Sequence, residues 1–348
     1  PEGDPAMAPA TTVESALSSE DMLGSPSGSV TWGYDFEPTP DVFEEHRCIV
    51  VDPGWEQDVH LRAVGVQIDN PAVVHHVIQF AAAPTQANLA RIAELEAEDD
   101  IPGWNCPNGS RVNGAGSIGG YAPGASNRPF PDGATLTLEA GTQVIMQMHY
   151  NYATARSPDQ TQTLFWEVDE PSDKSPRSIA AINAWFQIPE GAESYTAEGF
   201  APVLPADAEP GMSTGVGTLS APEGWAWAVN AHMHVRGKEV RIDRVSSDGT
   251  EECMLHIPSW DFNWQGSYRF KEPMALNAGD TVRVRCTWDN SYENQPLGWD
   301  GEQQESRDIR FGDGTFDEMC LGIVQMTDFD WQMRYLSVGL SVCSIASG

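Results

Sequence analysis

The sequence predicts an all-β chain organised as two β-sandwich domains. Short runs of alternating apolar and polar residues recur, as in Thr135–Glu139, Thr142–Tyr150 and Asp280–Thr287, and this alternation is typical of half-buried strands. Glycine and proline supply 32 and 25 of the 348 residues, and the Gly-Asp and Asp-Gly pairs among them favour turns between strands. Each half of the chain is therefore expected to form two sheets packed face to face, as a sandwich or jelly roll.

Three segments are predicted along the chain. Residues 1–30 are rich in Pro, Ala, Ser, Gly and acidic residues, and they carry too little apolar surface to offset the entropy lost on ordering. They are predicted to form an acidic disordered tether. A polar, proline-containing stretch at Asp169–Pro176 marks a boundary, which predicts domains over residues 31–174 and 175–348. Apolar residues at helical spacing predict one inserted helix over Thr85–Ala97.

The charge balance excludes two classes of partner. The chain has 51 acidic and 19 basic residues, a net charge of −32 at pH 7, which repels nucleic acid and anionic membrane surfaces. No run approaches the ~20 consecutive apolar residues that a membrane helix requires. The sequence therefore predicts neither a nucleic-acid partner nor a membrane span.

The cysteines indicate an oxidising compartment. Six are present, widely spaced and without a Cys-x-x-Cys pair, so disulfides are favoured over zinc-binding or redox-active thiols. Cys286 and Cys320 flank one strand-loop-strand stretch and form the bridge that the spacing favours most, while the remaining connectivity stays open. We expect an exported protein, whether periplasmic, tethered to the cell surface or extracellular, with an export signal or anchor before Pro1.

Five of the eight histidines fall in three strand-like segments. His232 and His234 point to one face of a strand and could reach one ion, or they could only fill hydrogen bonds. His75 and His76 are adjacent, so both could bind one ion only where the strand ends, twists or bulges; otherwise one is a core and one a surface residue. His149 could complete that site from a neighbouring strand, or it could be a hydrogen-bonded interior histidine.

The ligand types favour copper. Met319 adds a thioether in the second half, although a methionine in an apolar strand more often packs in a core. Imidazoles suit copper, zinc, iron or nickel, and a thioether favours Cu(I). No carboxylate accompanies either set, which argues against magnesium and calcium. The pattern predicts a three-histidine site in the first half and a His-His-Met site in the second.

Four motifs follow one another in a fixed order: His75-His76, Gln147-x-His149-Tyr150, His232-Met-His234-Val-x-Gly237-Lys and Asp317-Glu-Met319-Cys320. From about Cys48 to Cys343, the chain resembles the copper type II ascorbate-dependent monooxygenases. The resemblance implies two tandem jelly-roll domains, each with one copper ion, facing a solvent-filled cleft. It implies hydroxylation of a substrate C–H bond with O2 and two electrons from ascorbate or a similar reductant. The electron-transferring copper would bind His75, His76 and His149, and the oxygen-activating copper His232, His234 and Met319.

The same resemblance implies disulfide partners. A bridge between Cys286 and Cys320 would hold Met319 in position, and Cys48 could join Cys106. By elimination Cys253 would join Cys343, although Cys253 follows the His-x-His motif, unlike the usual partner in the family.

Departures from the family pattern concern the substrate. In the peptide-hydroxylating branch an Arg, an Asn and a Tyr anchor a carboxylate, where this chain has Asn230, Leu321 and Ile323. Without an Arg a carboxylate would be poorly held, so the chain is predicted not to be a peptidylglycine hydroxylase. These three residues and Gln147 are candidates for the substrate cleft, and a small-molecule amine or aromatic substrate is expected.

Two other questions stay open in the sequence. The aromatic-rich segment with Trp260, Phe262, Trp264 and Tyr268 is predicted to be a strand, which either lines the cleft or packs in a sandwich core. The alternative functions are a non-catalytic exported copper-binding protein and a zinc hydrolase with one three-histidine site.

Overall fold

A computed structural model describes residues 22–107, 109–123, 127–152, 155–214, 216–299 and 301–328. Strands dominate these residues, so the predicted all-β class is confirmed. The expected boundary between residues 174 and 175 falls in the connection between two groups of strands that share no sheet.

In the first half, the described residues form nine strands and one helix. These are β1 (Gly28–Val30), β2 (Glu44–Val51), β3 (Val59–Gln67), β4 (Val74–Ala82), α1 (Gln86–Glu96), β5 (Trp104–Asn105), β6 (Gly116–Tyr121), β7 (Leu136–Leu138), β8 (Gln143–Asn151) and β9 (Gln162–Val168).

These strands build two antiparallel sheets around one core. The five-stranded sheet has the order β5-β2-β8-β4-β6, and the four-stranded sheet has the order β1-β9-β3-β7. Met146 and Met148 of β8 pack with Phe165 of β9 in the core. Because side chains alternate along a strand, Gln147 and His149 point to the opposite, outer face of the five-stranded sheet.

The helix α1 lies where the apolar spacing predicts it. Thr85 is its N-cap, and the Thr85 hydroxyl accepts a hydrogen bond from the Asn88 amide at 3.2 Å, which satisfies one of the free N–H groups of the first turn. Ile92 and Leu95 cover part of the outer face of the five-stranded sheet. Among the described residues, no helix combines the length and the apolar character needed to cross a membrane.

The second half contributes thirteen strands among the described residues. These are β10 (Arg177–Ile182), β11 (Gln187–Ile188), β12 (Tyr195–Leu204), β13 (Ser213–Thr214), β14 (Gly217–Thr218), β15 (Ala221–Pro222), β16 (Gly224–His232), β17 (Gly237–Val245), β18 (Glu251–Ile257), β19 (Tyr268–Leu276), β20 (Thr281–Trp288), β21 (Ile309–Arg310) and β22 (Leu321–Thr327).

Most of these strands belong to one long sheet with the order β18-β17-β20-β12-β10-β22-β16-β19, while β11 and β21 pair separately. Strands from both ends of this path supply side chains to a single core, including Leu255 of β18 and Leu276 of β19. The sheet therefore curls around its core, which is consistent with a sandwich. The jelly-roll connectivity stays a prediction.

The predicted tether differs from the structure at its end. Residues 1–21 lie outside the described part, but residues 22–30 are ordered. Leu23 is buried against Leu164 and Trp166, and β1 pairs with β9. This short segment is held by one buried leucine and by three residues of strand pairing. Neither feature can be read from the average composition of thirty residues.

Two disulfides match the predicted pairs. Cys48 of β2 is bonded to Cys106, and Cys286 of β20 is bonded to Cys320, immediately before β22. Cys253 is also disulfide-bonded. The prediction for Cys343 lies outside the described residues.

Candidate metal centres

The first histidine cluster, His75, His76 and His149, lies on the outer face of the five-stranded sheet. His76 pairs with His149 across β4 and β8, and the register slips between Val74 and His76. This irregularity is what two adjacent histidines need in order to approach one point. The His75 and His76 Nδ1 atoms are 3.3 Å apart, and those of His76 and His149 are 3.2 Å apart. The structure thus brings the predicted trio together.

The distance from His76 Nδ1 to each of the other two Nδ1 atoms fits a shared metal ion. Imidazole nitrogens lie about 2.0–2.1 Å from a bound ion such as zinc, so two of them on one tetrahedral ion are ~3.3 Å apart. His149 Nε2–H donates to the Glu44 carboxylate at 2.9 Å. In the tautomer that this hydrogen bond selects, the His149 Nδ1 lone pair is left for the ion.

Burial keeps these imidazoles neutral. It lowers the pKa of His75 to about 4, and it holds the pKa of His76 and His149 well below the ordinary value, with neighbouring histidines adding to the effect. Neutral imidazole is the form that binds a metal ion.

A fourth histidine, which the sequence reasoning missed, stands beside this cluster. His46 of β2 pairs with His149 of β8, and the ligand nitrogens of His46, His76 and His149 all lie within 4.8 Å of one another. Its signal in the sequence is its place two residues before Cys48, on the strand that the first disulfide anchors. Only the strand register shows that it faces the cluster.

The second histidine cluster, His232 and His234, lies at the end of β16. The two Nε2 atoms are 3.1 Å apart. His232 Nδ1 bonds the Gln265 side-chain oxygen at 2.6 Å, and His234 Nδ1–H donates to the Asp317 carbonyl at 3.1 Å. The Gln265 amide nitrogen donates to the Phe262 carbonyl, which fixes the amide so that its oxygen accepts from His232. Both Nε2 lone pairs therefore face the same point.

Backbone contacts anchor the segment that carries Met319. The buried Glu318 carboxylate accepts hydrogen bonds from the backbone amides of His234 and Arg236, at 2.9 and 2.7 Å. On the other side of Met319, Cys320 is bonded to Cys286. Met319 is thus held between two residues that are tied to the core of the second half. Its role as a ligand stays a prediction.

The two clusters face each other closely. The rings of His76 and His232 have centroids 6.2 Å apart. Phe262 stacks on His75 at 4.6 Å and meets His234 edge-on at 6.0 Å. The resemblance implied a solvent-filled cleft between the copper sites, and the structure differs here because the imidazoles and Phe262 occupy that space.

Hydrogen bonds between described residues of the two halves hold this closed arrangement. Glu44, the partner of His149, also accepts from the Thr315 amide at 2.9 Å. The Gln265 backbone amide donates to the Pro123 carbonyl at 3.0 Å, and the Arg269 guanidinium donates to the Pro129 carbonyl. Glu44 and Gln265 therefore each contact one site histidine and the opposite half of the chain.

Three substrate-cleft candidates share the face of the sheet that carries His232. Strand pairing sets Leu321 opposite His232 and Ile323 opposite Asn230, and directly opposed residues of antiparallel strands point to one face. Leu321 and Ile323 are only 6% and 7% exposed. The opposite face carries Val229 and Val324, which lie in the core.

Gln147 does not share the face that carries Asn230, and the aromatic segment does not form the predicted strand. The Gln147 amide donates to the Cys106 carbonyl at 2.6 Å, which ties Gln147 to the first disulfide and not to the face of Asn230. The aromatic segment was predicted as a strand, but Trp260–Trp264 lie in the connection between β18 and β19. Phe262 lies between the clusters, while Trp260 and Tyr268 pack against the core, so both alternatives hold for different members.

Together the fold and these clusters define an all-β protein with two facing sets of buried or half-buried imidazoles. Residues 218–326 match the family model for the copper type II ascorbate-dependent monooxygenase C-terminal domain. This match contains His232, His234 and Met319, and it supports the family that the four motifs indicated. It lies within the second half of the chain.

A curated relative supports the same family. The chain is 20% identical over 308 residues to human (Homo sapiens) DBH-like monooxygenase protein 1, which covers 85% of this chain. The chain spans 44% of the length of that relative.

Solved structures add no functional argument. The crystal structure of the STIV MCP has 8% identity and a TM-score of 0.29, over 86% of this chain and 95% of that one. The cryo-EM structure of Broad Bean Stain Virus has 7% identity and a TM-score of 0.30, over 98% of both chains.

Proposed function

We propose that this chain is a copper-dependent monooxygenase that hydroxylates a C–H bond of a small-molecule substrate. The observation that carries the proposal is the pair of Nε2 atoms of His232 and His234, 3.1 Å apart. Both Nδ1 atoms are already hydrogen-bonded, so two lone pairs face each other and repel unless a cation lies between them. Burial lowers the pKa of both imidazoles, which favours the neutral form that binds a metal ion.

In this proposal each cluster holds one copper ion. His75, His76 and His149 bind the first, and His232, His234 and Met319 bind the second, where the soft thioether favours Cu(I). Copper bound there supplies single-electron redox chemistry and oxygen activation, with two electrons drawn from ascorbate or a similar reductant.

The chain itself contributes orientation of the ligands. Glu44 orients His149, the Gln265 side chain orients His232, and the Asp317 carbonyl orients His234. Partners of this kind fix the tautomer and the ring plane of a metal-binding imidazole.

The closed arrangement shields part of each cluster from water. His149 and His234 are 2% and 4% exposed, and Phe262 packs between the clusters. Low exposure strengthens electrostatic contacts at the site and protects reactive species from side reactions. Substrate would enter when the two halves separate.

The face around His232 favours a substrate with an apolar body and a hydrogen-bond donor. Leu321 and Ile323 form an apolar wall, and the buried Asn230 Oδ1 has no hydrogen-bond partner among the described residues. An unpaired buried acceptor is costly, and a substrate N–H would satisfy it. We propose a small amine or aromatic-alkyl substrate, and we do not expect a peptidylglycine carboxylate to be accepted.

The disulfides and the family support an exported protein. The pairs Cys48–Cys106 and Cys286–Cys320 are buried, and structural disulfides persist mainly in oxidising compartments. We propose that the chain acts outside the cytoplasm.

The proposed function is tested by supplying copper, ascorbate and O2 with three substrates: an arylalkylamine, an aryl-alkyl hydrocarbon and a glycine-extended peptide. We expect mass spectrometry to find one added oxygen atom in the amine or the hydrocarbon and an unchanged peptide. Preferential hydroxylation of the peptide would contradict the proposed substrate class.

The variant Asn230→Leu should raise KM for the amine about three- to tenfold, because one neutral hydrogen bond is lost.

The closed space between the clusters also fits the alternative, a non-catalytic copper-binding protein. If copper binds but O2 is consumed no faster than by free copper with every substrate, this alternative replaces the monooxygenase proposal. Zinc in place of copper in protein purified without added metal would instead favour a hydrolase.

A further inference from the structure

His46 stands in one row with two histidines of the first cluster. It pairs with His149 across β2 and β8, and His149 pairs with His76 across β8 and β4. Directly opposed residues of antiparallel strands point to the same face and have neighbouring side chains. Three adjacent strands therefore present three imidazoles side by side.

The distances place His46 within reach of the same ion as its neighbours. Its ring stacks on that of His149 with a centroid distance of 4.0 Å and an interplanar angle of 15°. The ligand nitrogens of His46, His76 and His149 lie within 4.8 Å of one another. Two nitrogens on one ion are at most about 4.1 Å apart, twice a typical metal–nitrogen distance, so a ring movement below ~1 Å would suffice.

The imidazole of His46 is otherwise uncommitted. It is only 8% exposed, and no hydrogen bond to either ring nitrogen is found in the part of the chain that the structure describes. The hydrogen bonds that the described residues show for His46 are made by its backbone, as from the Cys106 amide to the His46 carbonyl at 3.0 Å.

We propose that His46 is a fourth imidazole ligand of the copper at the first histidine cluster and is engaged when that copper is oxidised. Cu(II) favours four ligands in a tetragonal arrangement, whereas Cu(I) accepts fewer. His75, His76 and His149 would hold the reduced ion, and His46 would tilt out of its stack with His149 to reach the oxidised ion. This inference rests on the proposed function, because it requires copper at the first cluster.

The test is pulsed electron paramagnetic resonance of Cu(II) in the full-length double variant His232→Ala/His234→Ala, which leaves only the first cluster to bind copper. We expect couplings from four imidazoles in this background and from three after the further change His46→Phe, with one copper per chain in both. The matched control is His60→Phe, in the four-stranded sheet of the first half, which should keep couplings from four imidazoles. If His46→Phe fails to fold, the number of coupled imidazoles in the double variant His232→Ala/His234→Ala still tests the proposal.

Three imidazoles in that background, or a spectrum that His46→Phe leaves unchanged, would overturn the role of His46 while leaving copper binding intact. Absence of copper from the background protein and from the unaltered chain would overturn the proposed function as well, so the two failures are distinguishable.

Discussion

Replacing Met319 by leucine is expected to lower kcat for hydroxylation by at least ~100-fold while the first histidine cluster still binds copper. Changes to residues that merely orient a metal ligand cost 10- to 100-fold in affinity or activity, so removal of a ligand should cost no less. Leucine has nearly the same volume, and such exchanges usually cost less than ~1.5 kcal/mol of stability. The loss would therefore report the missing thioether.

Product formation and copper content measured on the same samples check this prediction. Met212→Ala is the control, because Met212 is 71% exposed and lies outside both clusters. Turnover of Met319→Leu within a few-fold of the unaltered protein would show that Met319 is not a copper ligand.

Replacing Glu44 by alanine is expected to weaken copper binding at the first histidine cluster by 10- to 100-fold and to loosen the contact between the halves. Its carboxylate accepts from His149 Nε2 and from the Thr315 amide, so one change removes the partner that orients a ligand and a bond between the halves. Glu44→Gln keeps one acceptor oxygen, so its copper affinity should lie between that of Glu44→Ala and that of the unaltered protein.

Two measurements separate these effects. Competition with a Cu(I) chelator gives the affinity, and hydrogen exchange at the Thr315 amide reports the contact between the halves. Glu45→Ala is the matched control, since Glu45 is the neighbouring residue and instead accepts from Tyr152 and Thr39. Equal effects of the Glu44 and Glu45 changes on copper affinity would contradict the role assigned to Glu44.

Features encoded within short segments were predictable from the sequence. Helix α1 follows from apolar spacing with a threonine cap. The adjacency of His75 and His76 required an irregular strand, and the register slip after Val74 provides it. The spacing of His232 and His234 by two residues brings both imidazoles to one point where β16 ends.

Features that depend on strand register or on contact between the halves were not predictable. His46 becomes relevant only because β2 pairs with β8 with His46 opposite His149. Glu44 is one of 51 acidic residues, and nothing in its local sequence distinguishes it from Glu45. Gln265 lies 33 residues after His232, in a connection whose path is set by packing. Residues that orient ligands through tertiary contacts leave no periodic pattern.

Copper content per chain is the measurement that tests the central claim, two distinct copper sites, most directly. After loading with copper and removal of free metal, we expect two copper ions per chain in the unaltered protein. The count should be one in His76→Ala/His149→Ala and one in His232→Ala/His234→Ala. A single copper ion in the unaltered protein, or a count that neither double variant lowers, would contradict the account.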